Sequence, residues 1–531
     1  MRRFVFAAIA IGSVSAPLVA CGSAAEEVPV IGVDGGTRPT PGAPPAPSSS
    51  GSSAPSADAA PPPPPSDGGK PAEPPAPPPK ADEITEQQGI FVALNGAAGA
   101  PGTRQAPLQS IAEAIAKAEA DAKGRVFVCE GTYLEAIELA NGISLVGGLD
   151  CSGPTWKLTD KRSTLDAPSS PAIRAVGITT ATRVDGLDVK APNATAPSGS
   201  SIGLFAVDSN ALTFAKGSIT AGDGMKGDDG VEGEPLVLSV ETAAVAGGGN
   251  VVLMERPGAP IAGGAGATAV CKTPDGLPSM RTAGATGGSS GIYSEFFGAW
   301  NVAIVGVGAF TYPANPGDPG APPGSGKEGK AGASSTGGTL GEEGYVPGDG
   351  TAGTNGEVGI GGRGAKGQAP TIGVAANRHA YGRAGGGGGA GGCPGLAGTA
   401  GKGGGASIAA ALVRSPVRFD GMALTAGAGG AGGRGTFGSN PTGGSSGADD
   451  ALPWVMSPER TSAGGLGGAA GISGHGAGGP SIAIAHEGLA PIVAQSTSKP
   501  GVAGPGVAAV SQGARTIPAS PAGVAEAVRA Y

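Results

Sequence analysis

The apolar residues of this chain come in short alternating runs. From 89 onward, Ile90-Phe91-Val92 predicts a strand. The spacing over 110–122 predicts a helix with Ile111, Ala114, Ile115 and Ala118 on one face, and Ser110 and Glu113 are spaced as a capping box. Further strands are predicted at 125–129, 136–139 and 143–146, then at 163–165, 172–175, 182–189, 202–207, 212–214 and 218–220, each bounded by Gly, Asn, Asp or Pro. One phrase returns. SIGLFAVDSNALTFAKGSITAG at 201–222 and SIAAALVRSPVRFDGMALTAG at 407–427 share an opening Ser-Ile, an apolar middle, a break and a closing Thr-Ala-Gly. Fainter copies begin at Gly291 and Ser481. A β-rich phrase that recurs with variable loops between copies is the mark of a solenoid.

Each copy runs into a glycine-rich tract, and many tracts keep a period of three: Gly224 to Gly233, Gly350 to Gly362, and Gly386 to Gly404 over seven successive triplets. Collagen requires that period in long, proline-rich form, which these runs lack. Two readings remain open. Flexible low-complexity loops are the default for such composition. Packed helices of three residues per turn, with glycine on the edge where backbones approach, account for the retained phase. Either way the tracts read as long inserts on one side of the solenoid, at about 223–290, 313–406 and 427–480, with a weakly structured tail at about 500–531.

Composition supports the same picture. Glycine fills 104 of 531 positions and aromatics only 4%, too few for the core of a compact enzyme of this length. The net charge of −8, with no long Lys/Arg cluster, argues against a nucleic-acid partner. At the N-terminus, Arg2 and Arg3 precede an apolar run too short for a comfortable membrane span, ending Leu18-Val19-Ala20-Cys21. This resembles a bacterial lipobox, which implies a signal peptide over 1–20 and acylation of Cys21. Gly22 after that Cys resembles an outer-membrane sorting signal, so the expected location is the cell envelope, with the membrane as partner through the acyl chains. Residues 21–88, rich in Pro, Ser and Ala, read as a disordered tether with polyproline character.

The folded part opens with Gly102-Thr103, Pro107, Ser110-Ile111, Ala114-Ile115, Val126-Phe127-Val128, Gly131-Thr132-Tyr133 and Leu145-Val146-Gly147-Gly148. These pieces resemble the start of pectin-lyase-like right-handed β-helix proteins, specifically over 89–151 and loosely beyond. The resemblance implies an all-β domain over 89–531, a right-handed parallel β-helix whose open N-terminal end is capped by the helix.

Four cysteines follow Cys21. Cys129 and Cys151 lie 22 residues apart, about one turn of such a solenoid, and each follows an apolar strand. Stacked turns about 4.8 Å apart satisfy the Cα separation of a disulfide. Cys271 and Cys393 are the remaining pair and would close a long loop. Catalytic groups are hard to find. His379, His475 and His486 are scattered, and neither HExxH nor a GxSxG elbow is present. The lyase architecture invites Asp185 and Asp188 (VDGLD) as carboxylates on one face, but no Arg or Lys partner stands out. Asp223, Asp228 and Asp229 resemble calcium-binding glycine loops without the full repeat, so Ca²⁺ is the one cofactor considered and none is expected. Trp156 and Trp300 read as packing residues, and so does Trp454, for which an exposed anchor is the alternative. The expectation is a non-enzymatic envelope protein with a structural or adhesive role toward extracellular polysaccharide or surface proteins. The alternative is a carbohydrate-binding or polysaccharide-lyase-like protein.

Overall fold

The computed structural model describes residues 84–247, 253–254, 261–286, 292–294, 310–312, 324–367, 379–381, 384–448 and 461–531. Among them every regular element but a single α-helix is a strand, and most of the strands form three parallel sheets. The first sheet stacks Gly89–Val92, Arg125–Cys129, Ser144–Asp150, Thr182–Asp185, Leu212–Ala215, Arg418–Asp420 and Ile492–Ala494. The second stacks Gly131–Tyr133, Ser163–Asp166, Leu187–Lys190, Ser218–Thr220, Ala423–Thr425 and Thr497–Lys499. The third stacks Ile137–Leu139, Ile173–Val176, Ser201–Val207, Ser407–Val413, Ser481–Glu487 and Ala525–Ala530. From Arg125 the chain visits the first, second and third sheets in that order, and repeats the circuit to its last strand. Alternation sends one set of side chains inward. Val126, Leu145, Val184, Leu204, Phe214, Phe419, Leu424 and Ile484 belong to one buried core shared by the three sheets. The run expected as one strand over 182–189 is two strands on different sheets, because Gly186 turns the corner at φ 68°.

The helix, Ile111–Ala120, buries Ile111, Ala114, Ile115 and Ala118 in that core at its N-terminal end. Ser110 caps it by accepting the Glu113 N–H at 3.2 Å. The reciprocal half of the capping box is absent, because the Glu113 carboxylate accepts from Gly99 N–H instead (2.7 Å). Glu135 takes over, accepting from the N–H groups of Ile111 (2.7 Å) and Ala112 (3.1 Å), so a negative charge sits at the positive end of the helix dipole. The outer face of the first sheet is covered by Trp156, which packs edge-on to Phe91 at 4.9 Å. Leu340 and Tyr345 cover the outer face of the third.

The repeat has a mechanical basis. Ser201, Ser407 and Ser481 stack in register in the third sheet. Each accepts the N–H of the glycine that closes its own phrase: Gly222, Gly427 and Gly501, all at 2.8 Å. Each donates its hydroxyl to the carbonyl one circuit earlier: Pro192 (2.7 Å), Gly222 (2.6 Å) and Gly427 (2.6 Å). The Ser481 copy is therefore a wall strand. The copy expected at Gly291 is not: Ile292–Ser294 pairs antiparallel with Phe310–Tyr312 and His379–Tyr381, outside the three parallel sheets. A single insert thus spans 221–406, in place of the two expected. Counted with 426–480 and with 500–524, the latter expected as part of a tail, three long inserts leave the second sheet and return to the third. The 500–531 segment, expected to be weakly structured, carries a hairpin of Val510–Gln512 with Arg515–Ile517 and the last strand of the third sheet.

The described glycine tracts are packed rather than loose. Gly356, Gly359, Gly362 and Ala365 donate their N–H groups to the carbonyls of Gly395, Gly392, Gly389 and Gly386, one bond every three residues in antiparallel register. Gly389, Gly392, Gly395, Gly401 and Gly404 donate in parallel register to Ser462, Gly465, Gly468, Gly474 and Ala477. Ser439, Thr442 and Ser445 donate backbone N–H groups to Leu396, Cys393 and Ala390 and accept the N–H of the same three residues on their hydroxyls, at 2.8 Å each. The tract 384–405 is thus enclosed on several sides, and its glycines are required by close approach: a methyl group on Gly391 would collide with the Gly359 carbonyl.

Three substitutions test this account. Gly391→Ala destabilises the protein by about 1–3 kcal/mol and exposes the tract to limited proteolysis. Gly443→Ala, where an added methyl meets nothing within 4 Å, leaves both unchanged. Ser407→Ala strands the Gly222 carbonyl and the Gly427 N–H, and lowers unfolding free energy in a denaturant titration by about 1–3 kcal/mol.

Candidate functional site

The cavity that gathers charged side chains, of about 550 Å³, lies at the corner between the first and second sheets. Its roof is the segment after Cys151. That segment is fixed by the Cys129–Cys151 disulfide (Cα–Cα 5.8 Å), by Trp156, and by the short strand Lys157–Leu158 folding back on Leu149 and Asp150. The chain re-enters the wall at Ser163, whose buried hydroxyl accepts from Gly148 N–H at 2.9 Å and donates to the Cys129 carbonyl at 2.8 Å. Thr159, Asp160, Lys161 and Arg162 therefore line the space over a column of corner residues: Gly147, Gly186, Lys216 and Gly421.

Most charges here are matched in pairs. The buried Arg183 binds Asp185 through both Nε and Nη2, at 2.8 Å each. Lys161 pairs with Glu130 at 2.8 Å, and Arg162 reaches Asp188 at 3.5 Å. Asp160 and Lys216 have no ion-pair partner among the described residues, and Lys216 is held at φ 48°, a backbone region that side chains other than glycine seldom occupy. Lys216 and Asp160, unpaired among the described residues, lie beside neutralised pairs, an arrangement suited to binding a polar or charged ligand through hydrogen bonds.

The expected carboxylate pair is not assembled as anticipated. Asp185 is on the first sheet and Asp188 on the second, on either side of Gly186. The Arg partner that the sequence did not reveal is Arg183, two residues from Asp185 on the same strand and on the same side of it; that alternation was the available signal. Asp223, Asp228 and Asp229 do not converge. Asp223 accepts Ala428 N–H at 2.7 Å, and Asp229 accepts Arg434 N–H at 2.8 Å and pairs with Lys226 at 2.9 Å. The Arg434 N–H, ahead of Lys226, holds the Asp229 carboxyl below its ordinary range. Among the described residues no three His, Cys, Asp or Glu side chains are grouped to hold a metal. Cys271 and Cys393 are joined (Cα–Cα 5.6 Å), tying the antiparallel strand Thr268–Lys272 to the central glycine tract. Cys21, Trp300 and Trp454 lie outside the described residues.

His475 is buried inside the tract bundle, accepting Gly435 N–H on Nδ1 at 2.7 Å, while His486 sits in the third sheet. Burial, reinforced by the charge of Arg434, lowers the His475 pKa. The unfolded chain takes up a proton at this residue near about pH 6.5, whereas the folded chain does so only at lower pH. The unfolded state therefore binds more protons below that point, and stability falls as pH drops through it. Chemical denaturation between pH 8 and pH 5 tests this: His475→Gln flattens the acid limb, whatever its effect at pH 8. No family model, no curated protein and no solved structure matches this chain.

Proposed function

We propose that the three sheets are the walls of a right-handed parallel β-helix, and that the protein is a lipid-anchored, non-enzymatic cell-envelope protein with a structural or adhesive role. One observation carries the reading. All three long inserts open at the same corner, between second and third sheets, and associate through their backbones into one hydrogen-bonded bundle beside the walls. Binding surfaces of repeat folds are built from inserts on one face. The polyproline-type tether and the Leu18-Val19-Ala20-Cys21 sequence support display at a membrane surface. Radiolabelled palmitate is expected to enter the wild-type chain and not Cys21→Ser, with the substituted chain leaving the membrane fraction. Label in both would overturn the anchor.

A second reading has its own support: the corner cavity places Lys216 and Asp160 beside the Arg183–Asp185 pair, an arrangement compatible with a carbohydrate-binding or carbohydrate-cleaving protein. Incubation of the purified protein with a polysaccharide panel separates the two. The adhesive role predicts no new reducing or unsaturated ends. Cleavage abolished by Lys216→Ala or Asp160→Asn would establish the second reading in its place.

A further inference from the structure

We propose that the end of the three sheets formed by Ile492–Ala494, Thr497–Lys499 and Ala525–Ala530 is a self-association surface, on which a second copy of this chain docks tail to tail. Each of these strands is the last in its sheet, so each presents a row of backbone N–H and C=O groups that no described strand pairs. The opposite end is closed by the helix, which buries its apolar stripe over the first strands.

Side chains at the open end look unfinished in the same way. Val493 is 41% exposed, whereas its register partner one strand earlier, Phe419, is fully buried. Val528 is 45% exposed, and its partner Ile484 is fully buried. Leu489 and Ile492, before and within the last strand of the first sheet, are exposed as well. Polar satisfaction fails here too. Ser498 Oγ and Arg529 Nε on the last strands, and His486 Nδ1 one strand earlier, are shielded from water without a hydrogen-bond partner.

The occupant follows from symmetry and charge. With the helical end closed, copies cannot stack head to tail, and a twofold arrangement of two open ends satisfies both edges at once. Glu526 and Arg529 lie on one face of the edge strand, 3.2 Å apart, and their register partners Ile482 and Ala485 both face the outer cluster of the third sheet. Antiparallel pairing about a twofold between Ala527 and Val528 sets Glu526 opposite Arg529 of the second copy, so the edge is complementary to itself.

Sedimentation velocity of the full-length chain in density-matched detergent tests it. A monomer–dimer equilibrium in about the micromolar range is expected. Tyr531 N–H donates to the His486 carbonyl, so alternation turns the Val528 N–H toward the open edge. Val528→Pro therefore removes an outward donor and shifts the equilibrium toward monomer by at least about tenfold. Should that variant unfold, Glu526→Arg and Arg529→Glu each weaken the dimer and the double exchange restores it. Ala527→Cys gives an interchain disulfide on mild oxidation, and Lys117→Cys on the helix does not. A chain that stays monomeric at about 100 µM, or a dimer insensitive to all of these changes, would overturn the proposal.

Discussion

One hydroxyl group per circuit lets this chain carry inserts of very different size on a regular wall. Ser201, Ser407 and Ser481 each hold the end of one circuit against the start of an insert, and the bond lengths barely change with what lies between. The Ser201 hydroxyl closes a gap of nine residues to Pro192, Ser407 a gap of 185 to Gly222, and Ser481 a gap of 54 to Gly427. Loop-closure entropy grows only with the logarithm of length. Once the mouth is clasped, the wall is insensitive to the length of the insert beyond it. The stacked sheets can therefore continue from Ser201–Val207 to Ser407–Val413 as though nothing had intervened.

The inserts then have to satisfy their own backbones, with few apolar side chains to help. They do so by replacing a hydrophobic core with a lattice of backbone hydrogen bonds, in which glycine admits the neighbouring carbonyl and a Ser or Thr hydroxyl supplies an extra acceptor. The Cys271–Cys393 bond and a small apolar cluster around Leu236 add covalent and hydrophobic fixation where the antiparallel strands meet this lattice. The ladders and the bundle are thus stabilised by different physics, burial in one and close backbone approach in the other, and Leu340 and Tyr345 join them by covering the third sheet.

Much of the wall was legible because its signals are local. Alternation located the strands, and Ser110 with its apolar stripe located the helix. The split at Gly186 escaped because a corner between two sheets interrupts a run by a single residue. The Gly291 phrase misled because an apolar alternating run has the same appearance whether its partners are parallel or antiparallel. In the tracts, glycine phase alone left loop and packed helix undecided. The deciding signal was a second series of the same period, Thr436, Ser439, Thr442 and Ser445, whose last three hydroxyls accept from the central tract. At the corner cavity, Arg183 could be paired with Asp185 by alternation, but the placing of Asp160 and Lys216 in one cavity depends on a fold-back after Cys151 that no local pattern encodes.

The tract register gives these inserts a reading frame. Ordinary surface loops absorb the gain or loss of any number of residues. Here, one residue added between Gly392 and Gly395 would rotate every later position by a third of a turn. It would carry Ala397, Ala400 and Lys402 into the places of Gly398, Gly401 and Gly403, against backbone that now meets glycine. Three residues added together would leave the phase intact and merely lengthen the rod. Length in this region is therefore quantised, and an insert can be extended or trimmed in triplets while remaining part of the same bundle.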